Sequence, residues 1–332
     1  MTPDISFIVP TLNRGRYVVR AVETCLRSIE GADVVGQVVV LDSESDDGSW
    51  EALQARFAED NRVVLAQNKR GLGPTHSWLD GAALANGRTV TFVWSDDFVA
   101  EAFVRTLLPL VGTGAECAVG AGIVRHVDEE EAWTFEGRVE RFAPAQLLED
   151  YYGVARLPTG PLAVSPACAL FSRAAFDEWL RLVTIVSQGD LLRQQIMWRR
   201  AIGPDLLLFL VALDRSTAPV AVVPEPVVQF SEHPGSITVS SSAWPLKTGY
   251  WLARRWLLDQ PEQATAPRVA RMALQALQLA ATVPTGIKGL EDRSVVRRGL
   301  LGEAGSLARR LPTSIGSVGA LRALATAALS RP

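Results

Sequence analysis

Two adjacent carboxylates, Asp96 and Asp97, follow the mostly apolar run of residues 90–94. A short buried strand cannot hold two ionised carboxylates without a partner. Its end should therefore direct them into a cleft, where a divalent cation can neutralise both. The alternative is that one of the two caps the next helix, which is the commoner reason for an Asp at such a position. The elements around the pair favour the metal site.

The carboxylate pair closes a repeated pattern of strand and helix. β-branched, apolar runs predict strands, and stretches with apolar residues spaced by three and four predict helices between them. The predicted strands are 5–9, 38–41, 63–66 and 90–94, and the predicted helices are 17–28, 50–57 and 75–85. This alternation predicts an α/β fold with an open, mostly parallel, Rossmann-like sheet flanked by helices.

In such sheets, ligands bind beyond the carboxyl ends of the strands. The predicted ends carry the informative polar residues Thr11, Asn13, Asp42, Arg70, Asp96 and Asp97. This part of the chain contains neither a G-x-G-x-x-G nor a G-x-x-x-x-G-K-[ST] loop, so a phosphate must be held by other means. A cation on the carboxylate pair, assisted by Arg70 or Lys69, is the means that the sequence offers.

Several separated motifs resemble, in order, those of family 2 glycosyltransferases, which have the GT-A fold. Residues 9–14 are similar to the family's opening V-P-x-[YL]-N, residues 40–49 to V-V-D-D-G-S-x-D-x-[ST], and Asp96 falls on the last position of D-x-D. The resemblance implies a site for a nucleotide sugar, with Asp42 accepting from the imide N–H of the base. The donor-binding residues that it implies are Pro10, Thr11, Asn13, Asp42, Arg70 and Asp96. The metal ligands, for Mn²⁺ or Mg²⁺, are Asp96, Asp97 and His233.

The chain departs from the family pattern at two places. Trp94 stands where the first Asp of D-x-D is expected, while Asp97 supplies a carboxylate one position later. An adjacent pair can still serve, with one carboxylate on the cation and the other on a metal-bound water or the ribose. Ser43 and Glu44 replace the usual Asp and Gly, so we expect the loop after Asp42 to differ in shape.

Asp205 is the candidate catalytic base. Residues 203–210 resemble the family's G-E-D-x-x-[LF]-x-[LF] segment, with Pro204 in place of Glu. An inverting transferase needs one carboxylate to remove the proton of the acceptor hydroxyl. The alternative is that Asp205 is the N-cap of a helix that starts at Leu206.

Two further segments resemble the family's second half. Residues 224–236 are similar to V-P-E-P-L-x-x-Y-x-x-H-x-x-S, which implies that His233 lies near the donor diphosphate and binds the metal or a phosphate oxygen. A surface turn residue before Pro234 is the alternative for His233. Residues 166–176 resemble the family's strand and helix start beside the acceptor site.

Composition and length limit the possible functions. With 332 residues, 48% of them hydrophobic, the chain can form a GT-A domain and an appendage. We expect the domain at 1–242, with a nucleotide-sugar half at about 1–100 and an acceptor half at about 101–242, and a helical region at 243–332. A net charge of −3 provides no basic field for nucleic acid. Three widely spaced cysteines and the absence of a signal peptide predict buried thiols and a cytoplasmic protein.

The predicted C-terminal helices are rich in Ala, Leu and Arg, with helical spacing at 251–257, 269–281 and 317–329. The apolar set Ala270, Leu274, Leu277 and Ala281 predicts a core face or a homodimer contact. No apolar run of about 18 residues occurs, so no spanning helix is expected. Peripheral contact with an anionic membrane is the alternative, since the region carries Arg254, Arg255, Arg268, Arg271, Arg297, Arg298, Arg309 and Arg310.

Taken together, the sequence predicts an inverting, metal-dependent glycosyltransferase. It would move a sugar from a nucleoside diphosphate donor, with UDP as the expected nucleotide, to a hydroxyl of a glycan or lipid-linked glycan in cell-surface polysaccharide synthesis. The alternative is a catalytically silent nucleotide-sugar-binding or scaffold protein, because Trp94 and Pro204 each replace an acidic residue of the family pattern. A nucleotidyltransferase is disfavoured, since residues 10–16 lack the Gly-rich basic loop of that class.

Overall fold

The computed structural model describes residues 2–126, 136–232 and 243–311, together with residue 319. The strands are β1 Ile5–Thr11, β2 Gly36–Asp42, β3 Val63–Gln67, β4 Thr89–Phe92, β5 Phe98–Val99, β6 Cys117–His126, β7 Glu140–Phe142, β8 Ala169–Ser172 and β9 Val220–Glu232. The helices are α1 Arg16–Glu30, α2 Ser49–Phe57, α3 Pro74–Leu84, α4 Phe103–Leu107, α5 Pro144–Tyr152, α6 Arg173–Ser187, α7 Leu191–Arg193, α8 Pro204–Arg215, α9 Ala243–Leu257, α10 Ala266–Ala281 and α11 Arg293–Arg309. The alternation predicted for the first hundred residues is confirmed, with small shifts of the element ends.

The strands form one nine-stranded sheet in the order β3-β2-β1-β4-β8-β6-β9-β5, with β7 paired to β9. β3, β2, β1 and β4 run parallel to one another, as helical crossovers between consecutive strands require. β8 then pairs antiparallel with both β4 and β6, and β5 and β7 pair antiparallel with β9. The predicted parallel sheet is therefore found in the first part of the chain, and the second part adds a mixed extension.

Helices cover both faces of the sheet because side chains alternate along each strand. Phe7 of β1 packs with Val18 of α1 on one face. Ile8, its neighbour in β1, packs in a second core with Trp78 of α3 and Trp179 of α6. β1 is thus buried on both sides, which explains its continuous apolar sequence.

The C-terminal helices share the second core with the rest of the molecule. Trp251, Leu257 and Met272 belong to the same hydrophobic cluster as Trp179 and Phe209. Trp251 also donates from its indole Nε1 to the carbonyl oxygen of Met272, at 3.0 Å. A division of the chain after residue 242 remains a prediction, but the helices that follow it pack as part of the same body.

The face of α10 that enters this core matches the prediction only in part. Its buried side chains include Val269, Met272, Ala273, Ala276 and Ala280. Leu274, by contrast, is 36% exposed, and Ala281 is exposed as well. Of the predicted set, Ala270 and Leu277 are therefore half-buried against the core, whereas Leu274 and Ala281 are not. An Ala-rich helix carries apolar residues on more than one side, and their spacing alone does not select among them.

None of the described helices is both long enough and apolar enough to cross a bilayer. Two of the arginines predicted as a basic surface form ion pairs within the molecule instead. Arg268 is only 3% exposed and pairs with Glu149 at 2.8 Å, and Arg255 pairs with Asp259 and Glu303. These two side chains hold the C-terminal region together and so add little to any basic surface.

Candidate active site

The carboxyl ends of β1, β2 and β3 lie side by side and collect the predicted donor-binding residues. Thr11 is in register with Asp42, and Asp42 with Gln67. Pro10 pairs with Leu41 one position earlier and is half-buried. Since the strands are parallel, their following loops leave from the same edge of the sheet, where α/β proteins bind ligands.

Ion pairs and hydrogen bonds join these loops around Asp46. Asn13, after β1, donates from Nδ2 to Asp46 Oδ1 at 2.8 Å. Arg70, after β3, donates from Nη1 to Asp46 Oδ2 at 2.5 Å. Arg70 and Asn13 together lower the pKa of Asp46 to about 2. The structure thus brings Asn13 and Arg70 together, with Arg70 holding a carboxylate of the protein.

Asp42 is fully buried and anchors the loop that follows β2. Its Oδ1 accepts from the backbone N–H of Ser45 at 3.0 Å and from Gln67 Nε2 at 2.9 Å, and its Oδ2 accepts from Ser45 Oγ at 2.5 Å. A carboxylate oxygen can accept more than one bond, so Oδ2 retains capacity for a further donor. Recognition of a nucleotide base by Asp42 remains a prediction.

Asp96 and Asp97 lie in the turn after β4. Asp96 Oδ2 pairs with Arg14 Nε at 3.2 Å, and Asp97 Oδ1 accepts from the backbone N–H of Ser231 at 2.9 Å. Burial, and then the charge of Asp96, raise the pKa of Asp97 well above its usual value. Neither residue caps a helix, because the chain continues into β5 and the next helix has Ala102 as its N-cap. The capping alternative was therefore wrong.

Trp94, which occupies the position of the first Asp in the family motif, packs instead of binding. Its ring stacks on Trp78 at 4.9 Å, and its Nε1 donates to Ser165 Oγ at 2.9 Å. The indole thus ties the end of β4 to α3 and to the segment before β8. This packing gives the substitution a structural role.

The chemistry around the carboxylate pair fits a hard divalent cation. Two carboxylates and nearby hydroxyls are the oxygen donors that Mg²⁺ and Mn²⁺ prefer. Thr11 Oγ1 and Ser231 Oγ are both buried without a hydrogen-bond partner in the described part of the chain, as expected where a polar ligand completes the site. Among the described residues, no group of three or more His, Cys, Asp or Glu side chains is arranged to hold a metal. His233, the third predicted ligand, lies outside them.

Asp205 lies in the first turn of α8, whose N-cap is Gly203. Its Oδ1 accepts from the backbone N–H of Gly203 at 2.9 Å, and its Oδ2 accepts from the hydroxyl of Tyr250 at 3.1 Å. Burial raises the pKa of Asp205 to about 6, although these hydrogen bonds oppose the shift. Asp205 is thus not the N-cap residue itself, and its carboxyl has the acidity of a base that works near neutral pH.

Contacts connect the start of α8 to the donor edge. The hydroxyl of Thr75, in α3, donates to the carbonyl oxygen of Met197 at 3.1 Å. A Cβ on Gly73 would lie 3.5 Å from the carbonyl oxygen of Arg199, and one on Gly203 would lie 3.2 Å from Met197 Cε. The segment 197–203 therefore packs between the loop after β3 and the residues just before Asp205.

Three residues of this site were missed in the sequence. Arg14 pairs with Asp96, Gln67 binds Asp42, and Tyr250 binds Asp205. Arg14 and Gln67 come shortly after the carboxyl ends of predicted strands. The expectation that ligands bind at those strand ends could therefore have identified them. Tyr250 had no such signal, because it comes from α9 and reaches Asp205 only through tertiary packing.

The family model for "Glycosyl transferase family 2" matches residues 6–180, which is more than half of the chain. Succinoglycan biosynthesis protein ExoO from Rhizobium meliloti is 32% identical over 216 residues, 64% of this chain and 56% of the relative. Glycosyltransferase GlyG from Streptococcus pneumoniae is 36% identical over 108 residues, 32% of this chain and 35% of the relative. The matches thus span between about a third and just over half of these curated relatives.

Solved structures share the fold at low identity. One is residues 1–349 of TarS from S. aureus, crystallised with UDP-GlcNAc. It aligns with 98% of this chain over 89% of the TarS chain, with a TM-score of 0.62 and 14% sequence identity. GalNAc-T7, crystallised with UDP, GalNAc and Mn²⁺, aligns with 89% of this chain and 55% of its own, with a TM-score of 0.51 and 16% identity. The predicted GT-A fold with C-terminal helices is confirmed, and the chain belongs to glycosyl transferase family 2.

Proposed function

We propose that the protein is an inverting glycosyltransferase that transfers a sugar from a nucleoside diphosphate donor to a hydroxyl acceptor. One observation carries the proposal: Thr11, Asp42 and the Asp96–Asp97 pair converge at the carboxyl edge of parallel strands, where such sheets bind nucleotides. UDP is the first choice of nucleotide, and the TarS and GalNAc-T7 structures, crystallised with UDP-GlcNAc and with UDP, support it.

In this proposal the donor lies along the sheet edge. Pro10, Thr11, Asn13 and Asp42 hold the nucleoside, with Arg70 beside them. Asp96, Asp97 and His233 hold Mn²⁺ or Mg²⁺, which when bound neutralises charge on the departing diphosphate. The contact of Asp97 with Ser231 supports the inclusion of His233, which follows Ser231 by two positions.

Asp205 removes the proton of the acceptor hydroxyl as its oxygen attacks C1 of the sugar. The C1–O bond to the diphosphate breaks on the opposite side, so the configuration at C1 inverts. Tyr250 and the Gly203 N–H orient the carboxylate for this step. A base of this acidity is largely ionised at neutral pH and still accepts a proton readily.

The relatives support a role in polysaccharide or glycoconjugate assembly. ExoO is named for succinoglycan biosynthesis, and a Campylobacter jejuni relative, 30% identical over 115 residues, is a glucosyltransferase named for a glycan on diphosphoundecaprenol. We therefore propose a glycan or lipid-linked glycan as the acceptor. The enzyme would work in the cytoplasm, with its C-terminal helices in peripheral contact with the membrane or in a homodimer.

Calorimetric titration with UDP, GDP and dTDP tests the donor site. Each nucleotide is titrated with Mn²⁺, with Mg²⁺ and with EDTA into wild type, Asp96→Ala and the control Asp177→Ala. Asp177 is an exposed carboxylate on α6 that pairs with Arg173, so its loss should matter little. We expect metal-dependent binding of one nucleotide, weakened at least about tenfold by Asp96→Ala only. Absence of binding by all three nucleotides would refute the donor site.

A further inference from the structure

A cleft of about 840 Å³ opens where three parts of the chain meet. One wall is the loop after β3, at residues 71–73, and another is the segment between α6 and α8, at residues 188–200. The third wall comes from the loop before α11, at residues 288–291. Ligand sites commonly have volumes of about 300–1,000 Å³, so the cleft is large enough for part of an extended substrate.

The lining of the cleft is positively charged. Arg199, Arg200 and Lys288 contribute three cations, and Glu291 contributes one carboxylate. Glu291 already accepts a hydrogen bond from the backbone N–H of Gly289 at 2.8 Å. The balance of charge on these walls is therefore cationic, in a protein whose overall net charge is −3.

The three cations differ in what they do for the fold. Arg200 bonds the carbonyl oxygens of Gln195 and Lys288, at 3.2 and 3.4 Å, and so ties two walls together. Arg199 and Lys288 are exposed to solvent. Neither side chain makes a hydrogen bond or an ion pair with another described residue. Their charges are thus available to a ligand rather than committed to stability.

Two walls of the cleft meet where Gly289 packs closely against the Gln195 side chain. Gly289 has a φ of 87°, and a Cβ there would overlap the side-chain amide of Gln195. Gln194–Trp198 forms a π-helical turn, a feature frequent at functional sites. The Trp198 ring meets His76 edge-on at 4.8 Å, so an aromatic surface lies beside the cations.

We propose that this cleft binds a phosphate group carried by the acceptor, next to the hydroxyl group that receives the new sugar. Arginine and lysine are the side chains that recognise phosphate, and an indole provides a surface for a sugar ring. The inference rests on the proposed function, since it names the acceptor class of that enzyme. The donor diphosphate is expected elsewhere, at Asp96 and Asp97, which do not line the cleft.

Two probes test the cleft and separate the sources of such a phosphate. Citronellyl diphosphate represents a lipid-linked carrier, and a short oligo(glycerol phosphate) represents a phosphate-bearing polymer. Each is titrated into protein saturated with UDP and Mn²⁺, so that the donor site is filled. The samples are wild type, the double variant Arg199→Gln with Lys288→Gln, and the control Arg141→Gln, which removes an exposed charge of β7 outside the cleft.

We expect at least one probe to bind wild type and the control alike, and to bind the double variant at least about tenfold more weakly. Binding by citronellyl diphosphate alone would identify a lipid-linked acceptor, and binding by the oligomer alone a phosphate-bearing polymer. If neither probe binds, or the double variant binds both as wild type does, the proposal is wrong. UDP affinity in the same samples tests the donor site separately, and we expect the double variant to keep it.

Discussion

The Asp205 carboxylate accepts hydrogen bonds from two donors, one close to it in sequence and one far from it. The Gly203 N–H approaches from the start of the same helix, and the Tyr250 hydroxyl approaches from α9. Both bonds favour the ionised form, but burial outweighs them and raises the pKa to about 6. This environment distinguishes Asp205 from an ordinary surface aspartate and suits it to the proposed role of base.

Sugar transfer should depend on pH through the ionisation of Asp205. Because Asp205 must be ionised to accept a proton, we expect kcat/KM of sugar transfer to rise as the pH passes through about 6 and to level off about one to two pH units higher. Asp205→Asn should lower turnover at least about 100-fold while donor affinity stays within about twofold. Rates of nucleotide release across the pH range provide the measurement.

The free energy of unfolding should fall with rising pH over the range in which kcat/KM rises. Because the pKa of Asp205 is higher in the folded than in the unfolded protein, the folded state binds this proton more tightly. The resulting contribution to stability is complete at a pH below the ordinary aspartate pKa and is lost as the pH rises through about 6. Asparagine avoids that loss, so Asp205→Asn should be more stable than wild type above about pH 6 in urea unfolding. If Asp205→Asn kept the turnover of the wild type, Asp205 would not be the catalytic base.

At the scale of elements, α9 and the start of α8 approach unusually closely. Gly203 has a φ of 110°, and a Cβ there would lie 2.5 Å from the carbonyl oxygen of Gly249. This approach brings Tyr250, the next residue of α9, within reach of Asp205. Burial raises the pKa of Tyr151 in α5, and the charge of Asp205 adds to that shift. Arg254 lies near Tyr250.

Tyr250→Phe should therefore shift the pH profile rather than abolish folding. Loss of the hydroxyl removes a bond that lowers the pKa of Asp205, so the acidic limb of kcat/KM should move above about pH 6. We expect activity to fall several-fold near pH 6 and to recover at higher pH, with KM for the donor unchanged. Tyr152→Phe is the matched control, because that buried hydroxyl donates to the carbonyl oxygen of Arg254 instead. An equal shift in both variants would contradict a direct effect on Asp205.

At the scale of the whole molecule, the C-terminal helices and the sheet share one core. Trp251, only 2% exposed, should be a major contributor, because removing a buried tryptophan costs about 3–5 kcal/mol. We expect Trp251→Ala to lower the free energy of unfolding by that amount, whereas Leu246→Ala, at a position 39% exposed, should change it by less than about 1 kcal/mol.

Urea unfolding followed by far-UV circular dichroism and by tryptophan fluorescence provides the measurement. A shared core predicts that both signals change in one coincident transition and that Trp251→Ala shifts that transition as a whole. Two separate transitions, with only the second shifted, would show that the helices after residue 242 unfold independently. The division of the chain would then be thermodynamic as well as sequential.

The parallel sheet of the first hundred residues, and the gathering of its polar strand ends at one edge, could be predicted from the amino-acid sequence alone. Continuous apolar strands separated by amphipathic helices leave few other arrangements, and the parallel register then carries Thr11, Asp42 and the Asp96–Asp97 turn to one edge. These features are local in origin: each strand, helix and turn is specified by its own residues.

How distant segments meet that edge depends instead on tertiary packing. The bond from Tyr250 to Asp205 and the cationic cleft at Arg199 and Lys288 join residues whose separation in sequence carries no signal. The buried face of α10 was likewise undetermined, because its alanines satisfy several packing directions equally. Packing against the particular shape of the neighbouring helices selects one of them, and periodicity does not encode that shape.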